Sequence, residues 1–148
     1  MNDKKTELLF ILDVEDGWPP VSIEGIPCEV VNGSHQIKAA PLFVKDISVD
    51  DIIDVVLDSF GKVSSWHHVQ KSSRSTIWLL RTADTQNIDA ILQELRALGC
   101  NTVRLPQYGS YSIDVPAEVE MQEVDFCLAK LDPNCVAVAY PSFRHEDS

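Results

Sequence analysis

The apolar positions of the chain follow two different periods. Residues 7–14 (ELLFILDV) form a short β-prone apolar run and read as a strand. Residues 15–20 (EDGWPP) read as a turn, because Gly17 and the Pro19-Pro20 pair stop any regular element. From 21 to 45, Val, Ile and Phe come in short runs broken by Pro27, Asn32-Gly33 and Pro41. Asn-Gly between CEVV and SHQIKAA is a strong hairpin signal, since a type I′ turn needs positive φ at both central residues. This part predicts a small antiparallel sheet.

The pattern then switches to the helical period. Val49, Ile52, Ile53, Val56, Leu57 and Phe60 repeat at three and four residues, which predicts a helix over 48–60. Ser48 suits its N-cap, Asp51 is a capping-box-like partner, and Gly61 supplies a stop. The runs 63–71 and 75–82 read as strands joined by a hairpin turn at 72–74. A second helix is expected over 87–98 (face Ile88, Ile91, Leu92, Leu95, Leu98) and ends at Gly99. Strands follow at 101–106 and 109–115. A third helix is expected to open at Pro116 and to bury Met121, Val124, Leu128 and Leu131. CVAVAY (135–140) reads as a last, central strand, and 142–148 as a polar tail.

These elements predict an α+β fold: an N-terminal antiparallel sheet, then a ferredoxin-like α/β sandwich, with three helices in all. No long linker or internal repeat divides the chain. It reads as a single domain over 1–148 with sub-parts 1–61 and 62–141, and any boundary is placed near Gly61.

Composition narrows the function. The 148 residues hold 23 acidic and 12 basic side chains, a formal charge of −11. That balance argues against a nucleic-acid binder, which needs a positive footprint, and against an anionic membrane surface. The apolar run Leu8–Leu12 is too short for a signal peptide, and no segment approaches a membrane span. A cytoplasmic protein is expected. Cys28, Cys100, Cys127 and Cys135 form no C-x-x-C pair and read as reduced thiols.

Catalytic signatures are lacking. G-x-S-x-G, the P-loop, G-x-G-x-x-G and H-E-x-x-H do not occur, so no enzyme activity, cofactor or metal is expected. His67 and His68 are adjacent in a strand and point to opposite faces, so they do not ligate one metal together. A nucleophile–base system would need Ser or Cys beside a histidine in space. The most informative feature is the placing of charge. Asp50, Asp54 and Asp58 recur every four residues, which on a helix makes one exposed acidic strip at a cost in helix stability. Asp13, Glu15 and Asp16 precede Trp18, which either caps the core or presents an anchor; the core is favoured.

Three segments carry a family likeness. APLFVKDISVDDIIDVV, ILQELRALGC and SIDVPAEVE resemble the bacterial domain-of-unknown-function family 4265 (DUF4265), a resemblance that covers nearly the whole chain and implies no activity. The charge and size lead to an acidic protein-binding module, an immunity-type inhibitor that occludes a basic, nuclease-like toxin domain. Its contact residues are expected to be Asp50, Asp54 and Asp58, then Asp13, Glu15, Asp16 and Trp18. The alternative is a small-molecule-sensing domain of ferredoxin-like fold.

Overall fold

Asn32 and Gly33 both take positive φ, 52° and 83°, and join two strands in the type I′ geometry that their sequence predicts. The computed structural model describes residues 5–84 and 88–145. The chain divides into two compact units, at Ser72/Ser73.

In the first unit five strands close into a barrel in chain order: β1 (Lys5–Ile11), β2 (Ile23–Val31), β3 (Ser34–Ile37), β4 (Ile52–Leu57) and β5 (Val63–Gln70). Each consecutive pair is antiparallel. Five is an odd number, so β1 and β5 run the same way and must close the barrel as a parallel pair. That seam has a single register pair, Phe10 opposite Val63. The alternation of β2 sends Ile26 and Cys28 inward, where they join Leu8, Phe10, Ile37, Ile53 and Val63, with Val44 and Ile47 from the long β3–β4 connection.

The helix expected over 48–60 is not there; the segment is β4. The cap signal was real but local. Asp51 does accept the Ser48 amide, at 3.0 Å, as in a capping box. Asp50 then turns left-handed, at φ 70°, and the chain leaves as a strand. Ile52, Ile53, Val55 and Val56 are β-branched, which favours extended backbone once partners stand on both sides. Those partners are β3 and β5.

The second unit contains β6 (Ser75–Arg81), α1 (Ile88–Ala97), β7 (Asn101–Leu105), a 3-10 turn over Pro106–Tyr108, β8 (Ser110–Val115), α2 (Met121–Leu128) and β9 (Val136–Ser142). Its antiparallel sheet has the order β7-β8-β6-β9. The α1 face is the expected one, with Ile88, Ile91, Leu92 and Leu95 buried. Leu98, Gly99 and Cys100 close its end through amides bonded back to the last turn. Leu79, Ile113, Val115, Val124, Leu128 and Val136 belong to the same core.

Four further expectations change. The described residues contain two helices, and the one foreseen at Pro116 begins only at Met121, after a turn closed by the Val119 amide on the Pro116 carbonyl. Strands β5 and β6 do not form a hairpin, because β5 pairs with β4 and β1 while β6 pairs with β8 and β9. Gly61 lies in the loop between the paired strands β4 and β5, so the division falls at Ser72/Ser73 and not near Gly61. Finally, β9 is an edge strand among the described residues, where it pairs with β6, while β6 and β8 are central.

Candidate functional site

The Asp16-Gly17 pair makes a second two-residue turn with positive φ, 54° and 76°. Glu15 and Trp18 exchange both backbone bonds across it, at 2.9 and 3.0 Å. An Asp-Gly pair is a hairpin signal of the same kind as Asn32-Gly33. The turn holds Trp18 outward. The residue is 46% exposed, against the expectation that it caps the core, because residues 15–18 close on each other through an isolated bridge. Trp18 meets Phe43 edge to face, with centroids 5.8 Å apart. Asp13, Glu15 and Asp16 are exposed beside it.

Phe43 is placed by a buried carboxylate. Glu24 faces into the barrel and accepts the amides of Leu42, Phe43 and Val44 at 2.5, 2.9 and 3.1 Å. Burial pushes this carboxyl above its ordinary range, while the three backbone donors pull it down. Nothing in the sequence marked Glu24 beyond its position among other acids.

Next to this turn the barrel seam opens. Beyond the Phe10–Val63 pair, β1 and β5 have no register pair among the described residues, and a groove of about 360 Å³ lies between residues 10–13 and 63–66, reaching Val44. Phe10, Val44 and Val63 also belong to the barrel core, so the groove leads to apolar ground. Asp13, Ser64 and Ser65 are its polar lining residues.

The three aspartates expected on one helical strip are separated. Four residues span about 13 Å of extended chain, against about 6 Å of helix. Asp50 lies 3.5 Å from Lys38 Nζ. Asp54 accepts the Ser34 hydroxyl at 2.6 Å and lies 3.6 Å from His67 Nε2. Asp58 closes the β4–β5 loop by accepting the Phe60 and Lys62 amides at 2.8 and 3.0 Å, bonds that hold its carboxyl below the usual value. Asp54 and Asp58 thus have work in the fold, and the turn at 13–18 is the part of the expected surface that stays together.

The histidines separate as the strand period requires. His67 is mostly exposed, whereas His68 bonds Asp51 at 2.9 Å. Asp51 also accepts the Ser72 amide at 2.8 Å. A serine–histidine contact exists elsewhere: the Ser75 hydroxyl lies 2.7 Å from His145 Nδ1. His145 Nε2 is 2.9 Å from the Pro116 carbonyl, so Nε2 carries the proton and Nδ1 accepts from Ser75. Ser75 is fully buried and also accepts the amides of Arg144 and His145, so this contact fastens residues 144–145 to the start of β6. All four cysteines are free thiols, and burial pushes Cys28 to about 11 and Cys100 to about 12. Among the described residues, no group of three or more His, Cys, Asp or Glu converges as a metal site. Among them, too, no helix is long and apolar enough to cross a membrane.

A family model described as "Domain of unknown function (DUF4265)" matches residues 24–137, and the chain belongs to that family. No curated protein matches. A solved structure titled as that of a hypothetical protein from Neisseria gonorrhoeae is similar to 97% of this chain over 96% of its own, with a TM-score of 0.67 and 12% identity, a likeness of fold alone.

Proposed function

Starting from that family membership, we propose that this chain is a non-catalytic, acidic binding module that engages a basic protein partner through the 13–18 turn. The observation that carries the reading is the half-exposed Trp18 on an acidic two-residue hairpin. Its main chain is closed by two backbone bonds and its ring rests on a phenylalanine whose own amide is held by Glu24. A rigid aromatic set in a charged rim is the usual make-up of a contact centre, because little side-chain entropy is lost when it binds. The carboxylates would steer a cationic partner and set its selectivity. An immunity-type inhibitor, which covers the phosphate-holding surface of a nuclease-like toxin, is the specific form we favour.

The test is affinity capture from the chain's own host, followed by expression of the captured protein with and without this chain. A basic protein that slows growth alone and not in co-expression supports the reading. Retention that is unchanged in high salt, or by Trp18→Ala together with Asp16→Lys, sinks it.

The βαββαβ order of the second unit, with sheet order β7-β8-β6-β9, favours describing it as a ferredoxin-like sandwich. That supports a second reading, a small-molecule-sensing domain. A thermal-shift screen with amino acids and nucleotides separates the two, because a ligand that binds only the native state raises its apparent stability.

A further inference from the structure

The groove at the β1–β5 seam follows from strand parity. An odd meander can close only by setting two parallel strands together, and here they join through one pair, Phe10 with Val63, before they part. Any strand laid in the gap can run antiparallel to both neighbours, which is the better hydrogen-bonding arrangement. The main chain on the β1 side is turned the right way. Leu12 donates its amide to Ser22 across the β1–β2 side, at 2.9 Å. Successive residues of a strand aim their main-chain groups at opposite edges, so Ile11, the last residue of β1, is turned to the seam, and Asp13 lines the groove two residues beyond the strand. Its volume of about 360 Å³ is at the small end of the roughly 300–1,000 Å³ of ligand sites. That suits one or two apolar side chains of a peptide better than a large ligand.

Charge selects the occupant. Asp13 stands at the groove, exposed, and Glu15 and Asp16 continue from it on the turn. The nearest cation in sequence to the β5 side, Lys62, has its ammonium over the Phe60 ring at 5.5 Å. We propose that the seam groove receives a short extended segment of a basic partner, added as an antiparallel strand between β1 and β5. One apolar side chain would lie against Phe10, Val63 and Trp66, and a lysine or arginine would meet Asp13. The mode is strand addition, in which main-chain bonds supply affinity and alternate side chains supply selectivity. The inference rests on the acidic-module reading above and adds to it where and in what conformation the partner is held.

The test uses the full chain, 15N-labelled, and two synthetic peptides: Lys-Val-Lys-Leu-Lys-Val-Lys, and the same sequence with glutamate for lysine. The expected result is at least tenfold tighter binding of the lysine peptide. Amide shifts should centre on Ile11–Asp13 and Ser64–Trp66. Ser65→Tyr, a bulky change at a residue that lines the groove, should weaken binding at least tenfold. Asp13→Lys, an exposed change that leaves packing alone, should remove the preference for lysine and keeps the question decidable if the tyrosine variant fails to fold. Preference for lysine with shifts confined to 15–18 overturns the groove and leaves the acidic module standing. Equal binding of both peptides at the groove overturns the basic partner. No binding of either peptide overturns the groove proposal.

Discussion

Asp51 has no solvent exposure and still accepts hydrogen bonds, among them those from the amides of Ser48 and Ser72 and from His68 Nε2. A carboxylate only accepts, so Nε2 of His68 carries the proton. Asp51 thereby ties both ends of the β4–β5 hairpin, where the sequence suggested only a helix cap. Asp51→Ala strands these donors, and the expected loss is about 3 kcal/mol. Urea unfolding checks it, and a loss under about 1 kcal/mol contradicts the assignment. Glu24 and Asp58 titrate with opposite consequences. Asp58 is held below its ordinary 3.8, so its contribution is present above that value and is lost as pH falls through the folded value. Asp58→Asn should flatten the acid limb of a stability–pH curve. Glu24 is held above 4.5, so the folded state resists its ionisation and stability falls as pH rises from 4.5 through the raised value. Glu24→Gln should remove that decline. The thiols separate by burial: Cys28, Cys100 and Cys127 are buried and Cys135 is half-buried. Native protein should give one thiol to a disulfide reagent quickly, at Cys135, and all four cysteines only on unfolding. Early modification of Cys28 or Cys100 would contradict the buried, raised thiols.

At the scale of elements, the two turn pairs behave alike and the two apolar periods do not. Gly17 and Gly33 both have positive φ and open space where a Cβ would stand, so an alanine there meets only conformational cost. Gly17→Ala and Gly33→Ala should each lose about 1 kcal/mol by denaturant midpoint. Gly17→Ala should also shift Trp18 emission, since the turn presents that ring. Strand β4 is where the sequence pattern misleads. Ile52, Ile53, Val56 and Leu57 satisfy a helical stripe, and an extended strand satisfies it as well when its inward residue is Ile53 and its far end is exposed. Periodicity over so short a run does not separate the two, and β-branching and flanking strands decide. Ile53→Ala, at a site with no exposure, should cost about 3 kcal/mol. A loss close to zero would mean that Ile53 is not in the barrel core. The α1 stripe was legible because it runs over ten residues and ends at Gly99, with amides closing the last turn.

At the scale of the whole molecule, the charge of −11 is the property on which the proposed function draws. Its expected consequence is a rate of association with a basic partner that falls roughly tenfold or more between low and high ionic strength, measured by stopped flow on Trp18 fluorescence. A salt-independent rate would remove steering from the account. The candidate site was half legible. Asp13, Glu15, Asp16 and Trp18 are neighbours in sequence and remain neighbours, because a two-residue turn is a local structure. Phe43, Val44 and Trp66 were not foreseen, because they reach the site only through strand pairing and the Glu24 clasp.

By itself the sequence determined the acidic balance, the Asn32-Gly33 turn, the break at 15–20 and the α1 face, since each depends on residues within a short stretch of chain. Tertiary structure alone decided that 52–57 is a strand, that β9 lies at an edge, and that the barrel closes through a parallel seam with a groove beside it. Those outcomes depend on which strands find each other across long separations. Pairing free energy comes from partners distant in the chain, and local preference among extended and helical forms is too small to oppose it.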